Sequence, residues 1–207
     1  MKKRKVKIAA VIKRKAKFVV LEGIDGCGKS LQIRSLKKNL PAEHFVFTKE
    51  HTSGVVGRLI EKVLYRQLNL NQLSLQLLFV ADRLDHLEKV IKPALEKGKI
   101  VISDRYFWAT VAYGSLVVDK NWLLKINEVC LVPDLIILID LEPKIALARI
   151  TKARERKTIF EKEEKLKKVR ETYLELAKKF KASTVVINGD RKPEEISKEI
   201  KKAILSC

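Results

Sequence analysis

The chain has 207 residues, of which 46% are hydrophobic, so it is long enough to bury one sizeable core and short for two full domains. Its formal net charge of +19 favours anionic partners, and nucleotides and nucleic acid both qualify. No apolar run approaches the roughly 18–20 residues of a membrane-spanning helix, and the three cysteines lack metal-ligand spacing. We therefore predict a soluble protein of the reducing cytoplasm with no membrane partner.

The chain begins with a basic N-terminal extension. Residues 1–17 contain nine lysines or arginines and no acid, which leaves a net charge of about +10 for the rest of the chain. The segment lacks the long apolar stretch and the small-residue cleavage site of a secretory signal. We expect a flexible appendage, and an arm that binds nucleic acid or another anionic surface is the functional alternative.

From residue 18 to residue 207, short β-branched or aromatic runs alternate with longer amphipathic stretches. The five predicted strands are 18–22, 45–48, 99–103, 135–139 and 184–187. The predicted helices are 29–40, 55–68, 72–97, 122–130, 144–152, 162–180 and 193–205. This alternation is typical of βα units around a parallel sheet, so we predict a single α/β domain over residues 18–207.

A glycine-rich stretch directly follows the first predicted strand and opens the first predicted helix. Its residues are Gly23, Ile24, Asp25, Gly26, Cys27, Gly28, Lys29 and Ser30. The spacing and this strand–helix context match the phosphate-binding loop, or P-loop, whose backbone N–H groups point at a phosphate chain. Lys29 would then serve the β- and γ-phosphates of ATP, and Ser30 would bind Mg²⁺. Asp25 either contacts an acceptor or forms the turn.

The third predicted strand is followed by Asp104, Arg105 and Tyr106. In open α/β sheets, ligands bind beyond the carboxyl ends of the strands. Asp104 would hold a metal ion there through water, and Arg105 would clamp a phosphate in bidentate fashion. We therefore predict that Lys29, Asp104 and Arg105 act together in catalysis, although an aspartate here is also an ordinary helix cap.

The order of these motifs resembles the thymidylate kinase family, a branch of the P-loop nucleoside monophosphate kinases. The matching segments are 21–30, 78–83, 104–106, 112–113, 160–161 and 169–174. The resemblance implies a P-loop NTPase fold, a three-layer αβα sandwich with a five-stranded parallel sheet surrounded by helices and a short lid. It also implies a homodimer with ATP and dTMP as substrates and Mg²⁺ as cofactor, and nucleic acid is not the partner we favour.

The resemblance further assigns residues to the acceptor, dTMP. These are Asp25, Lys49, Phe79, Arg83, Arg105, Thr110 and Tyr113. Phe79 and Arg83 are four residues apart on one helix, so the ring can stack on a pyrimidine while the guanidinium donates to its O4 carbonyl. Lys49 and Arg105 match positions that hold the acceptor phosphate, Thr110 meets the base edge and Tyr113 lies against the sugar.

The remaining assignments concern ATP and the lid. The P-loop carries no arginine, so the resemblance places the transition-state arginine in the lid, at about residues 151–160, where Arg154 and Arg156 are the candidates. Arg149, just before the lid, matches an arginine that stacks on adenine. We predict that the lid closes over both nucleotides and excludes water from the transfer step.

Three positions depart from the family pattern. Lys49 replaces a common arginine and offers a single contact in place of a fork. Ala109 replaces a common serine, and Gly114 stands where glutamine is frequent. A kinase for another or broader set of pyrimidine nucleoside monophosphates is therefore the alternative function, and a nucleotide-regulated nucleic-acid-binding protein is the alternative from another class.

Overall fold

The computed structural model describes residues 16–153 and 162–207. Five strands form one parallel sheet in the order β2-β3-β1-β4-β5. Their bounds are Lys17–Glu22 (β1), Phe45–Lys49 (β2), Ile100–Asp104 (β3), Leu135–Asp140 (β4) and Thr184–Asn188 (β5). The predicted α/β class and all five predicted strands are confirmed, with bounds that shift by one residue.

Helices flank the sheet. They are Lys29–Asn39 (α1), Val55–Leu64 (α2), Gln72–His86 (α3), Lys92–Glu96 (α4), Phe107–Gly114 (α5), Lys120–Ile126 (α6), Pro143–Ala153 (α7), Glu163–Lys179 (α8) and Pro193–Ser206 (α9). None of the helices in the described ranges is long and apolar enough to cross a membrane.

The predicted helix 72–97 is interrupted. A π-helical turn, Leu87–Ile91, separates α3 from α4. Pro93 lies in the first turn of α4, and a proline has no N–H to donate and its ring collides with the carbonyl four residues earlier. A π-turn accommodates such a break in the α-helical hydrogen-bond ladder.

Helix α5 was not predicted from the sequence. Its side chains are buried at Phe107, Trp108 and every position from 110 to 114, so it has no polar face to produce a helical period. Because α5 follows β3 directly, it carries Thr110 and Tyr113 to the carboxyl edge of the sheet.

The sheet register fixes which residues meet at this edge. Strand β1 lies between β3 and β4, and Leu21 pairs with Asp104. Asp104 also pairs with Lys49 at the end of β2. The segments that follow β1, β2 and β3 therefore leave the sheet at the same level, which is where parallel α/β sheets bind ligands.

Candidate active site

The P-loop wraps around the ammonium group of its own lysine. Lys29 Nζ donates to the carbonyl oxygens of Gly23 and Ile24, both at 2.9 Å. The side chain is only 6% exposed, so its charge is held within the loop. Helix α1 begins at Lys29 with Gly28 as its N-cap, so the positive end of the helix dipole points at the same space.

Gly26 allows the P-loop to pack tightly against α7. Its φ of +79° lies in the left-handed region, and a Cβ added there would lie 2.4 Å from the carbonyl oxygen of Ala146. No side chain fits in that gap. Glycine is thus required at this position both by backbone conformation and by the closeness of the neighbouring helix.

Ser30 and Asp104 meet beside the P-loop. Ser30 Oγ donates to Asp104 Oδ2 at 3.1 Å. A hydroxyl and a carboxylate are the hard oxygen groups that Mg²⁺ prefers, either directly or through water. The predicted pair is therefore brought together with chemistry that suits a magnesium ion, and the described residues contain no larger His, Cys, Asp or Glu cluster for a metal.

Arg105 lies beside the P-loop and lines the neighbouring cavity. Its Nη1 donates to Gly23 O at 3.2 Å, and its Nη2 donates to Asp25 Oδ1 at 2.6 Å. Gly23 O therefore accepts from both Arg105 and Lys29. The Tyr113 ring lies under the guanidinium at 5.2 Å from its centroid. Arg105 adopts a φ of +73°, an unusual value for a non-glycine residue that is typical of functional sites.

Glu22 lies beneath this arginine, at the end of β1, and is 1% exposed. Its carboxylate accepts from Tyr106 N at 2.9 Å and from Tyr173 Oη at 3.0 Å. Burial raises the pKa of Glu22 from 4.5 to about 7, against the opposing effect of the Arg105 charge. Glu22 thus ties α8 and the start of α5 to the P-loop strand.

A cavity of about 250 Å³ opens next to the P-loop. All seven residues assigned to the acceptor line it: Asp25, Lys49, Phe79, Arg83, Arg105, Thr110 and Tyr113. The other residues on its wall are Glu50, His51, Glu61, Leu64, Tyr65, Gln76, Tyr106 and Ala109. Residues from five separate segments of the chain therefore converge on one space.

Arg83 is the centre of a buried network on the cavity wall. Its Nε donates to Glu50 Oε2 at 2.8 Å, its Nη1 to Asn127 Oδ1 at 2.5 Å and its Nη2 to Thr110 Oγ1 at 2.9 Å. The other oxygen of Glu50 meets Nδ1 of His86 at 3.0 Å. These bonds fix the guanidinium in one orientation, which preorganises it as a hydrogen-bond donor.

The structure describes only part of the residues that the sequence assigned to ATP and the lid. Arg149 donates to Gly189 O at 3.2 Å and lies 3.6 Å from an oxygen of Asp190. Its side chain therefore reaches from α7 to the residues that follow β5. The two lid candidates, Arg154 and Arg156, lie outside the described residues, as does most of the predicted lid.

Several residues on the site were not found from the sequence. Glu22 and Tyr173 support Arg105, and Glu50 and Asn127 hold Arg83. Glu22 and Tyr173 lie within segments that match the family, but the sequence assigned them no role. The contacts of all four residues join distant segments of the chain, so their partners could not be inferred from local sequence.

Taken together, the P-loop at the end of β1 and the arginine-lined cavity beside it define a phosphotransferase of the P-loop class. The profile of the family described as "Thymidylate kinase" matches residues 21–200. The chain is also 41% identical over 199 residues to a "Probable thymidylate kinase" of Methanococcoides burtonii, covering 93% of this chain and 98% of that protein. A protein of the same description from Pyrococcus abyssi is 42% identical over 192 residues, covering 88% and 93% respectively. The chain belongs to the thymidylate kinase family.

Proposed function

We propose that the protein transfers the γ-phosphoryl group of ATP to dTMP, giving dTDP and ADP. One observation supports this most directly: Lys29 and Arg105 donate to the same carbonyl oxygen, Gly23 O. A lysine for the donor phosphates and an arginine for the acceptor phosphate are thereby adjacent, as in-line transfer between two phosphates requires.

In this proposal, the acceptor lies in the cavity with its phosphate toward Arg105 and Lys49. Both residues line the cavity, and their positive charges suit a dianionic phosphate. Phe79 provides a ring on which a pyrimidine stacks, and Arg83 provides donors for the base edge. Tyr113 lies against the sugar, where it disfavours a 2′-hydroxyl.

Ser30 and Asp104 would hold Mg²⁺, with Asp104 acting through water. Their oxygens lie 3.1 Å apart beside the P-loop. When bound, the ion neutralises the β- and γ-phosphate oxygens, which gain charge during transfer. The chain's own contribution is to fix both oxygens at the strand end and the helix start.

The transfer step needs positioning and charge stabilisation, and no covalent intermediate on the protein. An oxygen of the acceptor phosphate attacks the γ-phosphorus in line, and the bond to the β–γ bridging oxygen breaks to release ADP. Lys29 stabilises the donor phosphates, and Arg154 or Arg156 in the lid supplies the transition-state arginine. Arg149 would lie against the adenine ring.

The proposal is tested by measuring ADP release with dTMP, dUMP, dCMP and UMP as acceptors. We expect dTMP to give the highest kcat/KM. Lys29→Ala is the negative control and should lower kcat/KM by roughly 10²–10³-fold, as expected when a group that stabilises transition-state charge is removed. A clear preference for a base other than thymine would refute the assignment to dTMP and favour the alternative acceptor set.

We also propose that the protein is a cytoplasmic homodimer. The support for dimerisation is a stripe of exposed leucines on α3, formed by Leu73, Leu77 and Leu84, which are 49%, 51% and 39% exposed. Their spacing places them on one side of the helix. The free thiols Cys27, Cys130 and Cys207 are compatible with a reducing compartment.

A further inference from the structure

Helices α1 and α9 pack side by side and run in the same direction. Gln32 Nε2 on α1 donates to Pro193 O at 3.1 Å, and one turn further along Ser35 Oγ lies 2.8 Å from Ser197 Oγ on α9. Helix α1 connects β1 to the parallel strand β2, so it ends at the amino edge of the sheet, opposite the candidate active site. The C-terminal half of α9 approaches the same edge.

The solvent side of this helix pair carries a cluster of bases, which we call the basic face. Its members are Arg34 and Lys38 on α1, and Lys198, Lys201 and Lys202 on α9. Lys201 is half-buried and the other four are exposed. Within the part of the chain that the structure describes, none of the five forms an ion pair, and the acid on this stretch of α9, Glu199, pairs with Arg191.

The spacing of charges on the basic face is unfavourable for its own helices. Other exposed lysines pair with an acid three or four residues away: Lys89 with Asp85, Lys92 with Glu88 and Lys125 with Glu128. On the basic face the four-residue spacing instead joins like charges, Arg34 to Lys38 and Lys198 to Lys202. Like charges at this spacing destabilise a helix.

The helix dipole accounts for only one member of the basic face. A base in the last turn of a helix is stabilised by the dipole, and Lys38 lies in the last turn of α1. Arg34 lies one turn earlier, and the last turn of α9 contains no base. Because helix stability does not explain the cluster, the cluster indicates an anionic partner.

The chemistry of the basic face restricts this partner. Besides its bases, the face offers Ser35, Asn39 and Ser197, and hydroxyl and amide groups commonly contact the phosphates and sugars of nucleic acid. Residues 34–39 and 197–202 include no aromatic ring to stack on an unpaired base and no exposed large hydrophobic residue to insert into lipid. We propose that the basic face binds a nucleic-acid duplex through its phosphate backbone, without reading its sequence.

The basic extension joins the body of the protein at the same edge. Strand β1 begins at Lys17, so residues 1–15, which lie outside the described residues, are connected to the amino edge of the sheet. They contain eight bases and no acid, and charges of this sign add phosphate contacts to those of the basic face. The candidate active site lies at the other edge, so a bound duplex leaves it open.

The test compares the wild-type full chain with a variant that combines Lys38→Gln, Lys198→Gln and Lys201→Gln. The measurement is the fluorescence anisotropy of a labelled DNA duplex, titrated with protein at salt concentrations between about 50 and 200 mM. We expect the variant to bind about tenfold more weakly or worse at the lowest salt concentration. The slope of log K against log salt should decrease by about 2–3, because each phosphate contact contributes about 0.9.

The matched control combines Lys62→Gln, Lys167→Gln and Lys168→Gln. These lysines are exposed on α2 and α8, so the control loses the same net charge and leaves the basic face intact. It should keep the wild-type salt slope. The thermal midpoint of the basic-face variant should not fall below that of the wild type, because the substitutions remove like-charge pairs and glutamine is a good helix former.

Three results would overturn the inference. If the wild type does not bind the duplex at the lowest salt concentration, the basic face has no such partner. If the variant and its control lose the same affinity and salt slope, net charge or the extension accounts for binding. If the wild type binds the single strand of the same sequence, or phosphatidylglycerol vesicles, more tightly than the duplex, the partner is of another kind. None of these results bears on ADP release, which tests the proposed function separately.

Discussion

At the scale of single residues, Glu22 at the end of β1 supports the site through its hydrogen bonds to Tyr106 N and Tyr173 Oη. Its carboxyl group is buried, it directly precedes the P-loop in the chain, and it accepts from Tyr173 Oη, which in turn accepts from Arg105. Its ionised form is disfavoured by burial, which raises its pKa from 4.5 to about 7. The protonation of Glu22 is therefore linked to folding in the range between those values.

The sign of this linkage leads to a prediction about stability. Between about pH 4.5 and pH 7, the native state holds a proton on Glu22 that the unfolded chain has lost. Stability therefore falls as pH rises through this window, by roughly 3 kcal/mol for a shift of this size. The side chain introduced by Glu22→Gln does not titrate, so this pH-dependent part of the free energy of unfolding should be absent in the variant.

The measurement is the free energy of unfolding in urea at pH 5 and pH 8. We expect the wild type to lose roughly 3 kcal/mol more than Glu22→Gln between the two pH values. Glu43→Gln, at an exposed position, is the control and should follow the wild type. Equal pH dependence in wild type and Glu22→Gln would show that folding does not raise the pKa of Glu22.

The residue scale also separates what the sequence could predict from what it could not. Lys29 and Ser30 could be assigned from the sequence because a P-loop consists of neighbours in sequence, so its residues appear as one continuous motif. Arg83 was assigned through family resemblance, but its partners Glu50, Thr110 and Asn127 come from three other segments.

At the scale of elements, the alternation of strands and helices was predictable because β1 to β5 are short apolar runs between amphipathic stretches. Helix α5 was not, since it is buried on all sides, and the interruption before α4 follows from the single residue Pro93. The placement of α7 against the P-loop is a tertiary feature that rests on Gly26.

The contact between α7 and the P-loop gives an element-scale prediction. In Gly26→Ala, the new Cβ would collide with a backbone oxygen of α7, which has no rotamer by which to move away. The loop and helix must separate, and the cost of overpacking is typically 1–3 kcal/mol. We expect the KM for ATP to rise roughly tenfold or more, since 1.4 kcal/mol corresponds to a factor of ten.

Gly98→Ala is a matched control for this experiment. Gly98 has a φ of +71°, close to the +79° of Gly26, so alanine meets similar backbone strain at both positions. Nothing lies within 4 Å of a Cβ at position 98. Gly98→Ala should lower stability and leave the KM for ATP unchanged. Similar kinetics in the two variants would mean that strain alone, and not the contact with α7, explains the Gly26 effect.

At the scale of the whole molecule, two features extend beyond the site. The basic extension was inferred from charge, but residues 1–15 lie outside the described residues, so its role stays a prediction. The leucine stripe on α3 lies on a different side of that helix from Gln76, Phe79 and Arg83. Helix α3 thus serves the cavity with one face and presents an apolar surface with another, which fits a helix placed between a site and a subunit interface.

The proposed dimer can be tested by placing a charge in the middle of this stripe. A two-fold symmetric interface uses the same surface of both subunits, so Leu77→Lys would bury one unpaired positive charge from each subunit. We expect sedimentation velocity to show a dimer for the wild type and a monomer for Leu77→Lys. Val117→Lys is the control, because Val117 is 60% exposed and lies outside the stripe, and this variant should stay dimeric. If Leu77→Lys also stays dimeric, the stripe on α3 is not the interface. If Val117→Lys becomes a monomer and Leu77→Lys stays dimeric, the interface includes the segment between α5 and α6, where Val117 lies.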